Sequence, residues 1–130
     1  MPKTKARPYP PSLLERMAET SGFIMKARAI AALGIPELAI SAWLAAAAGE
    51  EEVAPRLETL DRDQEAAVHR LSAASCYQHG GELAKAINLY RAALAGPLPE
   101  QTRKEAEQLL AACRTQFARF VDGNPSMRRP

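Results

Sequence analysis

The chain is poor in strand-forming residues: valine, isoleucine and threonine together number 13 in 130, and aromatic residues make up 5%. That is too little material for a sheet, whose pleated faces those side chains fill. Cysteine is scarce as well, with only Cys76 and Cys113, which excludes a disulfide-stapled secreted scaffold and points to reduced thiols in a cytoplasmic protein. Long apolar runs are missing. The most apolar stretch, Ile35 to Ala48, carries Glu37 and is shorter than the roughly 20 residues that span a bilayer, so no membrane partner is expected. The basic start, Met1 to Pro11, has no apolar segment behind it to form a targeting signal. Charge of one sign is not in excess either. With 17 basic and 15 acidic residues the formal charge is +2, too small for the whole surface to act as a nucleic-acid binder.

What is abundant is alanine, 26 residues of it, a composition suited to closely packed helices. Ten prolines punctuate the chain: they cluster at the two ends, and Pro36, Pro55, Pro97 and Pro99 fall between apolar-periodic segments, where a residue without an N–H ends a helix. This divides the chain into a basic, proline-rich arm (1–11), one helical domain (12–121) and a tail (122–130). Within the domain a first helix runs from Ser12 to Leu33, with a bend expected at Ser21-Gly22. Gly34 stops it, and a second helix runs from Pro36 to Gly49. The charged stretch 50–62 reads as an inserted, solvated loop. Asp61 and Gln64 have capping-box spacing ahead of a long helix that breaks at Gly80-Gly81, and a partner helix then runs to Gly96-Pro97. The last segment, 100–121, is apolar on one face only, as an end cap must be.

Shifting the sequence by 47 residues lays the first helix pair on the second with eight identities, among them Ala27/Ala74, Gly34/Gly81, Ala39/Ala86, Ala46/Ala93 and Gly49/Gly96, and brings Trp43 into register with Tyr90. The chain is therefore read as an internal repeat, about 21–49 and 66–97, in which each pair of helices buries its face on the next. The second pair resembles a tetratricopeptide repeat, a helix–turn–helix unit of about 34 residues. The resemblance runs through Ala74 and Tyr77 in the first helix, Gly81 at the turn, Ala86, Tyr90 and Ala93 in the second helix, and Pro97 after it. In the first pair it runs through Phe23, Ala27, Ile30, Gly34, Ala39, Trp43 and Ala46. Arg70 departs from the pattern. The 47-residue period, which the 50–62 insertion would explain, also fits HEAT-type helix pairs.

The resemblance implies a fold: all-α, a short right-handed solenoid of two antiparallel helix pairs, with Leu13, Leu14 and Met17 closing one end and a capping helix the other. An end left uncovered would favour a homodimer. It also implies a function, that of an adaptor, scaffold or chaperone-like module binding another protein in a concave groove. The groove positions carried over from the family are Ile24 and Arg28 in the first repeat and Val68, Leu71, Ser75, Gln78 and His79 in the second. This is an apolar strip beside one cation and several neutral donors, suited to an amphipathic peptide or helix. The alternative is that the N-terminal helix or the 50–62 insertion covers the strip and makes it core. Chemistry at single residues is thin. His69, Cys76 and His79 share a helix but supply at most two metal ligands at workable spacing, and no nucleophile, phosphate loop or buried carboxylate pair stands out. No catalytic, cofactor or metal-binding residues are expected, so the chain is not read as an enzyme. A second functional reading, nucleic-acid association, rests on Lys3, Lys5 and Arg7 of the arm.

Overall fold

Proline and glycine set most helix boundaries in the computed structural model, which describes residues 6–124 and 126. Among them lie α1 (Pro11–Ala31), a single 3-10 turn (Pro36–Ala39), α2 (Ile40–Glu58), α3 (Asp63–His79), α4 (Leu83–Leu94) and α5 (Glu100–Asp122), with no strand. The fold of the described residues is all-α, and no helix is long and apolar enough to cross a membrane. Lys3 and Lys5 of the arm, and Pro125 and residues 127–130 of the tail, lie outside the described residues.

Each helix packs against the next in sequence, and α3 also touches α5. The main core is built from small residues that let helices approach and large ones that fill the gaps: Ala27, Ala39, Trp43, Ala46, Ala74, Tyr77, Ala86 and Tyr90 all belong to it. Positions related by the 47-residue shift behave alike. Gly34 and Gly81 both take left-handed backbone, φ +87° and +84°, which only glycine adopts without strain. Gly49 and Gly96 both mark a close helix contact. A Cβ on Gly49 would lie 2.3 Å from Thr20 Oγ1, and one on Gly96 3.1 Å from the Cβ of Ala67, and Thr20 and Ala67 are themselves 47 residues apart.

The two pairs differ in length, and here the structure corrects the sequence reading. Gly49 does not end α2, and residues 50–62 are no inserted loop: the helix continues to Glu58 with Pro55 inside it. Interior glycine and proline cost about 1 and 3 kcal/mol. Against that, Val53, Ala54 and Leu57 are fully buried with Leu13 and Ala66 in a second core, and burying a Val or Leu side chain is worth about 1.5–3 kcal/mol each. The extra turns therefore hold. Nor does α1 break at Ser21-Gly22; it is one helix of 21 residues, since a helical glycine with good packing on its other side costs too little to end it. The Asp61 capping box does not form either: Arg62 is the N-cap, without a side-chain bond, because Asp61 is spent on the turn itself, at φ +59°.

The arm is likewise not simply solvated. The Arg7 N–H donates to the Leu60 carbonyl (3.0 Å), Arg62 Nε donates to the Arg7 carbonyl (2.8 Å), and the Arg62 guanidinium lies 4.1 Å from the centre of the Tyr9 ring. Tyr9 packs on the second core with Met17 and Leu60. Of the residues expected to close this end, Leu13 is buried and Met17 half-buried, whereas Leu14 points outward, 49% exposed.

Candidate functional site

Three consecutive glutamates, Glu50, Glu51 and Glu52, show how α2 organises its surroundings. A helix turns about 100° per residue, so each aims at a different neighbour. Glu52 accepts from Arg16 Nε on α1 (2.8 Å), and Glu51 accepts from the Tyr77 hydroxyl on α3 (2.8 Å). Glu50, only 5% exposed, meets His69 Nδ1 at 2.9 Å. A carboxylate so placed must be hydrogen-bonded, and it fixes the His69 ring between α2 and the surface. The sequence held no signal for this pair, because its members are on different helices.

His69 forms part of the wall of an open cleft of about 270 Å³, together with Tyr9, Met17, Gln64, Glu65, Val68 and Pro99. Tyr9 closes one side, its hydroxyl donating to Glu65, which raises the phenol pKa above its ordinary value; Arg62 also donates to Glu65 (2.9 Å). Met17, Val68 and Pro99 supply apolar wall. Clefts that enclose a small molecule usually run to roughly 300–1,000 Å³; this one lies just below that range and has room for an apolar side chain. A second cleft, about 290 Å³ beside Glu51, Lys85, Asn88 and Leu89, lacks a comparable apolar wall.

The expected groove residues fall on α3 and α1, but in different roles. Val68 is 40% exposed and belongs to the cleft. Leu71 is half-buried and packs against two core clusters, and Ile24 is half-buried against the main core. Gln78 is internally engaged, accepting from the Tyr90 hydroxyl (2.6 Å) and donating to Gln116 (3.1 Å). Ser75 lies near Tyr90, whose pKa is pushed up to about 12, chiefly by burial. Arg28 and His79 remain exposed at the far end. The His79 ring stacks on Trp43, centroids 4.5 Å apart, and its pKa lies below the ordinary histidine value because of partial burial and then the Arg28 charge.

Val68 stays 40% exposed, so neither α1 nor the 50–62 segment covers it; Met17 of α1 lines the cleft beside it, and the 50–62 part of α2 packs against α3 through Val53, Leu57 and Ala66. Among the described residues no three His, Cys, Asp or Glu side chains are grouped to hold a metal. Cys76 is buried, with a thiol pKa raised to about 11 mainly by desolvation and then by Glu50. Cys113 is also buried, its thiol 3.9 Å from the Leu83 carbonyl. Neither thiol is poised to react, since the nucleophile is the thiolate. The cleft residues that sequence reasoning missed, Tyr9, Met17, Gln64, Glu65, His69 and Pro99, come from separate parts of the chain, and helical i,i+4 spacing connects lining residues only within α3, Gln64 with Val68 and Glu65 with His69. No family model, no curated protein and no solved structure matches this chain, so the functional reading comes from the geometry.

Proposed function

We propose that the chain is a tetratricopeptide-like stack, two helix pairs and a cap wound as a short right-handed solenoid, that serves as a protein-interaction module in the cytoplasm. It takes an amphipathic peptide or helix along the α3 strip. The observation that supports this is the cleft at Val68: an open, side-chain-sized hollow with apolar walls and polar groups at its edge, the form an anchor pocket takes. One apolar side chain of the ligand enters between Met17 and Val68. The rest of the segment runs along Ser75 toward Arg28 and His79, where an acidic residue of the ligand meets the Arg28 cation. The arm offers less for nucleic acid, because Arg7 lies 3.9 Å from Asp61 and its backbone is bound to Leu60 and Arg62.

The test is selection of peptides from a displayed library on the wild-type protein, followed by affinity measurements on Val68→Asp and Arg28→Glu. Because Val68 is 40% exposed, its variant should melt near the wild-type temperature. The expected result is loss of peptide binding of at least about tenfold, the effect of about 1.4 kcal/mol, in both variants. Peptides that bind Val68→Asp as tightly as wild type would remove the cleft from the interaction.

A further inference from the structure

The outer face of α1 is apolar and uncovered. Leu14 is 49% and Met25 69% exposed, and Leu33, in the turn that follows α1, is 76% exposed. Within the helix the exposed residues lie on two adjacent i,i+4 rows, Leu14–Ala18–Gly22 and Met25–Ala29, with no charged residue between them. A Cβ at Gly22 would meet nothing within 4 Å. Rows of this spacing are the ridges that interlock when two helices cross at about −50°, and soluble monomers rarely leave such a face to water. The outer face of α5, at the other end of the chain of helix contacts, is exposed and polar: Lys104, Glu107, Gln108, Arg114, Thr115 and Arg119. Head-to-tail stacking of copies would therefore set an apolar face on a charged one. The matching surface that this protein itself provides is α1 of a second copy.

We infer that the protein is a homodimer in which the α1 helices of two copies cross antiparallel near Gly22, Leu14 and Met25 of each packing over Ala29 and Ala18 of the other. Charge settles the direction. Glu15, Glu19 and Lys26 share one flank of the apolar rows, within about 40° around the helix axis, the acids toward the N-terminus and the lysine toward the C-terminus. Glu19 also pairs with Arg16 in its own helix (2.7 Å). An antiparallel crossing sets this flank of each copy beside the same flank of the other and brings Lys26 to Glu15 and Glu19, whereas a parallel twofold crossing turns the flank toward the partner's opposite side and forms neither pair. The twofold contact uses the same patch on both copies and closes the assembly at two. It goes beyond the peptide-binding reading and leaves the α3 strip free.

Sedimentation velocity on the full chain over a range of concentrations tests this, with Met25→Glu, Lys26→Glu and the double reversal Glu15→Lys/Lys26→Glu. The wild type is expected to be a dimer at about 100 µM or below. Met25→Glu, with an unchanged thermal melt of the monomer, should weaken the dimer by at least about 30-fold, because a carboxylate would be forced into the apolar contact. Lys26→Glu should weaken it about 5-fold, and the double reversal should restore most of that. A wild type that stays monomeric at about 100 µM overturns the proposal, as does a dimer indifferent to Met25→Glu or assemblies that grow beyond two. A double reversal no tighter than the single one overturns the antiparallel arrangement.

Discussion

The two helix pairs, α1–α2 and α3–α4, are related by a shift of 47 residues and use the same devices: a left-handed glycine at the turn, Gly34 or Gly81, a buried alanine after it, Ala39 or Ala86, and a glycine seated on the other helix, Gly49 or Gly96. They differ in what lies beyond those devices. After Gly96 comes Pro97, α4 ends, and Arg103 of α5 donates to the freed carbonyls of Leu94 (2.6 Å) and Gly96 (2.7 Å). After Gly49 comes Glu50, and α2 continues for two more turns because Leu13, Ala66 and His69 are there to receive its side chains. The pair with a following helix closes its end, while α1, with no helix before it among the described residues, keeps an exposed outer face. Local sequence repeats the unit, and its neighbours decide where each copy stops.

The largest effect should come from making the second pair resemble the first at its open end. Ending the chain at Pro99 removes Ala106, Leu110, Cys113 and Phe117, which pack on α3 and α4, and uncovers Leu89 and Leu94. We expect aggregation or loss of a cooperative urea transition. A soluble fragment with a sharp transition would show that α5 is not the closing element. Next in size is the close contact in the first pair. Gly49→Ala places a methyl against Thr20 Oγ1 and should lower stability by about 1–3 kcal/mol. Gly96→Ala meets only Ala67 at 3.1 Å and should change it by less than about 1 kcal/mol. Thr20→Ala, which copies the second pair, should relieve most of the Gly49→Ala loss. Urea melts yielding equal losses at the two glycines would break the structural equivalence.

Smaller effects come from the glutamates peculiar to the first pair. Glu50→Ala leaves the half-buried His69 without its partner and should destabilise by about 1–2 kcal/mol in a urea melt. Glu52→Ala, which loses an exposed pair with Arg16, should cost less than about 1 kcal/mol. The reverse order would mean that Glu50 is tolerated in place and not held by His69.

The smallest effect is a titration. His79 stacks on Trp43, the single tryptophan of the chain, and its pKa in the folded protein is lowered. The folded state therefore favours the neutral ring. Its contribution to stability is complete above the unfolded value of about 6.5 and is lost as the pH falls toward the lower folded value, because the unfolded chain binds the proton first. Trp43 fluorescence should change with a midpoint below pH 6.5 in the wild type and show no such transition in His79→Gln. A midpoint at or above that value would separate His79 from the stacked site.

Sequence alone was enough for the all-α class, the two hairpin turns at Gly34 and Gly81, the small residues Ala27, Ala39, Ala74 and Ala86 at the helix contacts, and the polar outer face of the last helix. These follow from propensity, backbone sterics and 3.6-residue periodicity, which act over a few neighbours in the chain. Only the tertiary structure decided that α2 passes Gly49 and Pro55, that Glu50 is buried on His69, that Tyr9 and Arg62 hold the arm against the α2–α3 turn, and that the open hollow lies at Val68 while Leu71 serves the core. Each of these depends on residues from separate helices meeting at one point. There, burial of Val53 and Leu57 or satisfaction of a carboxylate outweighs the local preference that a glycine, a proline or a run of charge expresses by itself.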